Sequence, residues 1–210
     1  MINGFDLLAS FYDRLAKLVF GNNIKKAQCE FIEQIEEGSY ILILGGGTGW
    51  ILNEIFNRKN SVKIVYVDTS LEMIKKAKLT LEENWSSQVI FVNDTYQNTI
   101  TKTPFDVIFT PFFLDMFNDV EVSNIIIELS KNFRTNGIWI NTDFRNTRKI
   151  NQKLLLKIMY LFFRAVCKIA ACKLPNFEKN FYHNGFKKVT STFFNGGIIE
   201  SSIYKKIEND

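Results

Sequence analysis

The sequence contains few of the residues that build metal sites and disulfide frameworks. It has three cysteines and a single histidine, His183. The cysteines, Cys29, Cys167 and Cys172, form no Cys-x-x-Cys pair, and at least one of them must stay unpaired. One imidazole excludes a histidine-based zinc cluster, so no metal site is predicted. An unpaired thiol is typical of a reducing compartment, and we therefore expect a cytoplasmic protein.

Segments that divide or target a chain are also missing. No internal repeat and no linker rich in proline, glycine or serine interrupts the 210 residues. Asp6 and Asp13 break up the N-terminal apolar stretch, so no signal peptide is expected. A content of 46% hydrophobic and 23% charged residues is ordinary for a globular domain. We predict a single domain over residues 1–210, divided into an N-terminal helical cap (1–38), a core (39–145), a helical cap or lid (146–185) and a terminal hairpin (186–206).

Charge is distributed unevenly along the chain. Residues 1–144 carry a net charge of −5, whereas residues 145–206 carry +11. This asymmetry indicates an anionic partner or surface for the C-terminal third. The basic residues of that region alternate with aliphatic residues typical of a core, which disfavours nucleic acid as the partner.

Short apolar runs alternate five times with amphipathic stretches, a pattern that predicts a parallel sheet with helices on both faces. The predicted strands are residues 40–44, 62–67, 89–92, 105–109 and 137–144. Residues 5–35 are predicted to be helical. Two β-rich runs around Asn195-Gly196-Gly197 then predict an antiparallel hairpin. The predicted fold is α/β, a doubly wound, mostly parallel sheet that ends in a C-terminal antiparallel hairpin.

The turn after the first strand, Gly45 to Gly49, carries most of the functional signal. Glycine permits a left-handed backbone and lets a ligand approach the main chain closely. The turn opens a helix whose free N–H groups can hold polar groups of a ligand. Asp68 ends the next strand beside this turn, where a carboxylate can accept both hydroxyls of a ribose. Together these features predict a ligand that contains adenosine. A structural tight turn and a helix-capping aspartate are the alternative interpretations.

Three segments of the chain resemble class I S-adenosylmethionine-dependent methyltransferases. They are Ile41-Leu-Ile-Leu-Gly-Gly-Gly-Thr-Gly49, Val67-Asp-Thr-Ser-Leu-Glu-Met73 and Phe91-Val-Asn-Asp94. Phe5-Asp6 and Phe11-Tyr12-Asp13 resemble the helix before the core in the branch that includes quinone-biosynthesis methyltransferases. The spacing is Gly-x-Gly-x-Gly, whereas the dinucleotide fingerprint needs a glycine where Trp50 stands.

The resemblance implies S-adenosylmethionine as the cofactor. It places the glycine turn under the methionine part, Asp68 on the ribose and Asp94 on the adenine amino group. The residues implied in cofactor binding are Tyr12, Gly45, Gly46, Gly47, Gly49, Asp68, Thr69, Met73, Asp94 and Thr95. Ile43 departs from the family pattern because an acidic residue often stands at that position and contacts the cofactor's ammonium through water.

The sequence gives few indications of the acceptor site, because transfer of an activated sulfonium methyl needs alignment and desolvation more than a catalytic group. Asp115, after the fourth strand, is the candidate general base. A helix N-cap or a solvated loop carboxylate is the alternative role for Asp115. Phe112 and Phe113 are expected to line an apolar acceptor pocket or the core. His183 is expected at a helix end, where it interacts with the helix dipole.

Residues 153–172 are predicted to form a helix with one basic stripe. Lys153, Lys157, Arg164 and Lys168 fall within about 60° on a helical wheel, and most other residues of the segment are apolar. Four charges disfavour a membrane span. Three interpretations remain open: a cap helix with a solvated stripe, a lid that contacts anionic membrane headgroups, and a homodimer face.

The sequence thus predicts an S-adenosylmethionine-dependent methyltransferase that acts on a small apolar or acidic acceptor molecule. A catalytically silent module that binds an adenosine ligand is the alternative from another functional class. A nicotinamide-dependent oxidoreductase is a third alternative, which Trp50 and the terminal hairpin disfavour.

Overall fold

A computed structural model describes residues 4–8, 12–98, 103–167, 171 and 173–207; for residues 7, 8, 12 and 13 it describes the backbone alone. Within these residues seven strands form one sheet. The strands are β1 (Tyr40–Leu44), β2 (Lys63–Val67), β3 (Val89–Val92), β4 (Phe105–Pro111), β5 (Phe133–Phe144), β6 (Phe186–Phe194) and β7 (Ile199–Lys206).

The strand order is β3-β2-β1-β4-β5-β7-β6. The first five strands run parallel, and β7 pairs antiparallel with both β5 and β6. This arrangement confirms the predicted doubly wound sheet with its C-terminal antiparallel hairpin. The strands that follow β1 in the chain are added first on one side of it, as β2 and β3, and then on its other side, as β4 and β5. A crevice forms at such a switch point, outside the carboxyl ends of the strands.

Helices cover both faces of the sheet. They are α1 (Gly4–Leu8), α2 (Tyr12–Phe20), α3 (Asn23–Cys29), α4 (Trp50–Phe56), α5 (Leu71–Thr80), α6 (Asp119–Ser130), α7 (Ile150–Cys167) and α8 (Phe177–His183). His183 is the last residue of α8, which confirms its predicted position at a helix end. No helix in the described part of the chain is long and apolar enough to cross a membrane.

Residues of β1 alternate between two hydrophobic clusters. Ile41 and Ile43 pack with α4 and α5 on one face, and Leu42 and Leu44 pack with α6 on the other. A strand buried on both faces has no polar side, which explains its unbroken apolar sequence. A third cluster joins α2 and α7 to the end of β5 through Phe20, Phe144 and Leu156.

The prediction of one helical stretch over residues 5–35 was wrong in its continuity. The described residues of this segment form α1, α2 and α3, followed by a short 3-10 helix, Ile32–Gln34. Gly21 ends α2 with a φ of +60°, and its N–H donates to the carbonyl of Lys17 at 2.8 Å. Glycine takes this left-handed conformation at a helix end without the strain that a Cβ causes. The chain therefore turns at Gly21 in spite of the apolar periodicity on both sides.

Strand β5 is longer than predicted. It begins at Phe133 instead of Gly137, and the pairing with β4 shifts register between Phe105 and Val107. Residues 134–136 are exposed at this irregular end of the strand. Polar, exposed residues carry no apolar signal, so the sequence pattern detected only the buried part of the strand.

Candidate cofactor and acceptor site

The glycine turn follows β1 at the carboxyl edge of the sheet. Gly45 and Gly47 have φ values of +68° and +65°. A Cβ on Gly46 would lie 2.4 Å from the ring of Tyr66 in β2. The hydroxyl of Tyr66 donates to the carbonyl of Gly47 at 3.0 Å. The turn can therefore lie against Tyr66 only because Gly46 has no side chain, and Tyr66 in turn fixes the position of Gly47.

Gly49 has a different place from the other glycines of the turn. It precedes α4 with a φ of +81°, and a Cβ there would lie 2.5 Å from Cα of Ala77 in α5. Among the described residues, those that line the cavity beside the turn include Gly45, Gly46 and Gly47 but not Gly49. Gly49 thus allows α4 and α5 to pack closely, and its implied cofactor contact stays a prediction.

Asp68 follows β2 and faces the glycine turn. Its carboxylate accepts from Ser70 N at 2.8 Å and from Gly47 N at 3.3 Å. Burial raises the pKa of Asp68 to about 6, with a further contribution from the nearby Asp6 carboxylate, although the two backbone donors oppose the shift. The N-cap of α5 is Ser70, whose hydroxyl accepts from Met73 N at 3.1 Å. Asp68 therefore links the two turns at the switch point.

A cavity of about 530 Å³ lies above these turns. This volume falls in the range of small-molecule binding sites. The structure brings most of the predicted site residues to its wall: Gly45, Gly46, Gly47, Asp68, Thr69, Met73, Asp94, Thr95, Phe112 and Phe113. The side chain of Tyr12, another predicted site residue, lies outside the described residues. Trp50, Tyr96 and Gln97 also line the cavity and were not predicted to do so.

Asp94 and Met73 combine a structural role with their place at the cavity. Asp94 accepts from Thr95 N at 2.6 Å and from Asn98 Nδ2 at 2.9 Å, and these donors lower the pKa of its carboxyl. It therefore caps the short turn after β3. Met73 is 3% exposed and belongs to the core of α5 as well as to the cavity wall.

Helix α1 covers part of the cavity. Asp6 accepts from Ser70 Oγ and from Glu72 N, which ties α1 to the first turn of α5. A Cβ on Gly4 would lie 2.1 Å from the carbonyl oxygen of Val166, so α1 also lies directly against α7. Phe5, between these two contacts, lines the cavity. The resemblance had singled out Phe5-Asp6 as part of a preceding helix, and the structure gives Asp6 this specific anchoring role.

The structure corrects the expectation that Asp115 is a helix cap or a solvated loop residue. Asp115 lies in a short 3-10 helix, Leu114–Met116, while Asn118 caps α6. Its carboxyl is next to that of Asp143 in β5, which is 1% exposed. Burial raises the pKa of Asp115 to about 7, and the neighbouring Asp143 side chain limits this rise. Burial and the Asp115 carboxylate together raise the pKa of Asp143 well above its ordinary value.

Asp143 was missed at the sequence level although two signals mark it. It is the one acidic residue in the otherwise apolar and neutral run 137–144. Thr142 pairs with Pro111 in the parallel β4–β5 register, so the residues that follow meet at the same edge of the sheet. A buried acid beside the predicted Asp115 could have been inferred from these two observations.

Comparison with known proteins finds a family model that matches the central part of the chain. Residues 41–137 match a family model described as a methyltransferase domain. The matched segment includes the glycine turn, Asp68, Asp94 and Asp115. No curated protein matches the chain by sequence.

Solved structures of methyltransferases share the fold of this chain. Mitomycin 7-O-methyltransferase MmcR has a TM-score of 0.72 and 12% identity over 96% of this chain, which spans 60% of the length of MmcR. A methyltransferase solved with the Haloferax volcanii Trm112 methyltransferase activator has a TM-score of 0.77 and 11% identity, and 99% and 100% of the two chains are covered. DhpI in a complex with SAH has a TM-score of 0.71 and 14% identity, with 98% of this chain and 94% of DhpI covered. At such identities the likeness concerns the fold.

Proposed function

We propose that this chain transfers the methyl group of S-adenosylmethionine to a small acceptor molecule. The observation that carries the proposal is the meeting of the glycine turn and the Asp68 carboxylate at one cavity, within the segment that matches a methyltransferase family model. Gly47 has open space where a Cβ would stand, so a ligand can approach its backbone. Asp68 has a carboxylate that can accept from ribose hydroxyls. The residues present therefore fit this cofactor.

The chain's own task in such a transfer is to bind, orient and desolvate. Bound S-adenosylmethionine supplies an activated methyl group, so no metal or covalent enzyme intermediate is needed. Gly45 to Gly47 and Asp68 hold the nucleoside and amino-acid parts, and Asp94 and Met73 face the adenine. Phe112 and Phe113 bring apolar surface to the wall of the cavity. Such a wall excludes water from the sulfonium centre and strengthens electrostatic interactions there.

The two other functional classes make different predictions about ligands. A silent binding module would bind S-adenosylmethionine but transfer no methyl group. A nicotinamide-dependent oxidoreductase would bind NAD, for which the turn lacks the third glycine because Trp50 occupies that position. The methyltransferase-domain match favours methyl transfer over both. The resemblance to the quinone-biosynthesis branch stays a prediction, because the side chains of Phe11, Tyr12 and Asp13 lie outside the described residues.

S-adenosylhomocysteine, the demethylated product, is expected to stabilise the protein, whereas NAD is not. A ligand that binds only the folded state at 100 times its Kd adds about 2.7 kcal/mol, which corresponds to a rise in Tm of roughly 5–10 °C for a chain of this size. Calorimetric titration and thermal unfolding with each ligand measure this directly. Binding of NAD together with no binding of either sulfur nucleoside would contradict the proposed cofactor.

We also propose that α7 contacts an anionic membrane surface. Lys153, Lys157 and Arg164 are exposed on this helix, whereas Lys168 lies outside the described residues. Directly beside them Leu154, Ile158 and Leu161 are 57%, 57% and 70% exposed. The sequence of α7 contains no acidic residue. A basic stripe next to an exposed apolar stripe is typical of helices that lie in the headgroup region of a membrane.

Reversing all four basic residues of the stripe to Glu is expected to abolish co-sedimentation with vesicles that contain phosphatidylserine. Each Lys or Arg near an anionic surface contributes about 1 kcal/mol to membrane binding. Four reversals therefore exceed the marginal binding free energy of one interfacial helix. Vesicles of phosphatidylcholine alone serve as the control and are expected to leave the wild-type protein in the supernatant. Wild-type protein that also ignores anionic vesicles at low salt would refute the membrane contact. A concentration-dependent dimer under those conditions would instead identify α7 as a homodimer face.

We further propose a cytoplasmic location. Cys29 and Cys167 are free thiols in the described structure, and burial raises the pKa of both. Unpaired thiols of this kind are typical of a reducing compartment.

A further inference from the structure

A second cavity, of about 270 Å³, adjoins the cofactor cavity. It is bordered by α2, α7 and the residues that follow β4. The two cavities share part of their walls, namely Phe5, Ala16, Ile24, Phe112 and Met116. Phe112 has a φ of +51°, a conformation that costs a bulky residue energy, and its ring packs on Phe144 with the centroids 4.9 Å apart. This strained residue therefore stands at the boundary between the two spaces.

The wall of the second cavity is almost entirely apolar. Among the described residues that line it, only Asp115 and Tyr160 carry polar side-chain groups. The hydroxyl of Tyr160 donates to the backbone carbonyl of Asp115 at 2.8 Å, so its proton is already engaged. The carboxyl of Asp115 is consequently the group that remains to receive a proton from a molecule in this cavity.

Asp143 lies behind Asp115 and is enclosed on all sides. Neither of its carboxyl oxygens has a hydrogen-bond partner among the described residues. The polar groups close to it are the side chain of Asp115 and the backbone N–H groups of Leu114 and Phe144. Two buried carboxyls side by side cannot both ionise easily, so the pair retains one proton. Held on the enclosed Asp143, that proton leaves Asp115 as the carboxylate that faces the cavity.

We propose that the second cavity binds an apolar acceptor with one hydroxyl group and that Asp115 takes the proton of this hydroxyl as the methyl group is transferred. The proposal rests on the proposed methyltransferase function and adds to it the acceptor class and the base. Asp143 acts through Asp115 and is a positioning residue.

The reaction balances with the groups named. The acceptor oxygen forms a bond to the methyl carbon, and the bond between this carbon and the sulfonium sulfur breaks with its electron pair left on sulfur. The hydroxyl proton moves to the carboxylate of Asp115. The products are a methyl ether, a neutral thioether and protonated Asp115, which returns its proton to solvent after the products leave. An apolar wall favours this neutral acceptor over a charged one, whose desolvation is costly.

The ionisation of the pair makes the proposal sensitive to pH. Asp115 is faced by Asp143 from β5 and by Tyr160 from α7. Burial and the two carboxylates raise the pKa of Tyr160, which therefore stays neutral. The rate is expected to rise with pH, with a midpoint near the Asp115 pKa of about 7, and to level off at higher pH where Asp115 is fully ionised.

We choose 2-naphthol as the probe, since it is apolar and has one hydroxyl. Met159 lines only the second of the two cavities, and Met159→Trp fills that space. This variant is expected to weaken binding of 2-naphthol at least tenfold and to leave the Kd of S-adenosylhomocysteine within twofold of wild type. The second titration also shows that the variant is folded. Unchanged binding of 2-naphthol to Met159→Trp would overturn the placement of the acceptor.

Asp115→Asn keeps the shape of the side chain and removes the base. We expect a loss of at least 100-fold in kcat for transfer of labelled methyl to 2-naphthol, with the Kd of both ligands within threefold of wild type. Asp143→Ala is expected to move the midpoint of the pH–rate profile to higher pH, because the protonated Asp143 side chain, which lowers the pKa of Asp115, is then missing. Full activity of Asp115→Asn, or binding of both ligands to wild type without transfer, would overturn the role of the base. If S-adenosylhomocysteine itself fails to bind wild type, the proposed function fails instead.

Discussion

Asp68→Ala is expected to weaken binding of S-adenosylhomocysteine by roughly 10- to 150-fold. The side chain presents a carboxylate at the switch point, next to the backbone of Gly47. Hydrogen bonds to a charged acceptor contribute about 1.5–3 kcal/mol, and this range converts to the stated loss in affinity. Calorimetric titration of the variant against wild type at pH 7.5 measures the change.

Asp106→Ala is the matched control for this variant. Asp106 also accepts from a backbone N–H, that of Tyr40 at 2.8 Å, but it lies at the opposite edge of the sheet. Its replacement is expected to leave the Kd unchanged. An equal loss of affinity in both variants would show that the loss reflects general destabilisation. An unchanged Kd in Asp68→Ala would show that Asp68 serves only its hydrogen bonds to Gly47 N and Ser70 N.

The pH dependence of binding gives a second readout of the same contact. Since the pKa of Asp68 is about 6 in the free protein, the carboxylate that accepts from ribose hydroxyls is progressively protonated as the pH falls. The Kd is therefore expected to rise about tenfold between pH 7.5 and pH 5 in wild type. In Asp68→Asn this rise is expected to disappear. Because burial disfavours the charged form, Asp68→Asn is also expected to have an equal or higher Tm than wild type at pH 7.

Gly49→Ala is expected to lower the free energy of unfolding by about 2–5 kcal/mol. Part of this loss is the left-handed backbone, which is unfavourable for a residue with a Cβ, and the rest is the collision with the backbone of Ala77. The atom in the way belongs to the main chain of α5, so a rotamer change cannot relieve the contact. Urea unfolding of the variant and of wild type gives the difference.

Two other glycines separate the contributions to this effect. Gly185 has a φ of +80° and no atom near the position of a Cβ, so Gly185→Ala is expected to cost only about 1 kcal/mol. Gly47→Ala has the same open surroundings, but Gly47 lines the cofactor cavity, so the added methyl group takes up space at the cavity wall. We expect Gly47→Ala to be about as stable as Gly185→Ala and to bind S-adenosylhomocysteine at least tenfold more weakly. If Gly49→Ala were no less stable than Gly185→Ala, the packing role of Gly49 would be refuted.

The central sheet could be predicted from the sequence because β1, β2 and β4 are buried on both faces and the edge strand β3 is an unbroken apolar run. The runs 40–44 and 89–92 coincide with β1 and β3. Asp68 could be placed beside the glycine turn for the same reason, since neighbouring parallel strands end at one edge. The N-terminal helices were harder, because the apolar periodicity continues across Gly21 while the backbone turns there.

Long-range contacts account for what the sequence did not reveal about the site. Gly49 looks like the other glycines of its turn, and only the position of Ala77 shows that it serves helix packing. Asp115 looks like a loop residue because its burial depends on Asp143 and on α7, which follow it much later in the chain. A local sequence pattern carries no information about such partners, whereas the apolar sequence of a strand predicts the burial of that strand.

The central claim is that this chain moves a methyl group, and transfer of label from S-adenosylmethionine tests it most directly. Wild-type protein is incubated with the cofactor labelled in its methyl group and with an extract of metabolites and lipids, and Asp68→Ala is run in parallel. We predict that wild type places the label on a small molecule that partitions into the organic phase and that Asp68→Ala produces far less of this product. Tight binding of S-adenosylhomocysteine without any transfer of label to the extract would contradict the claim and identify a silent binding module.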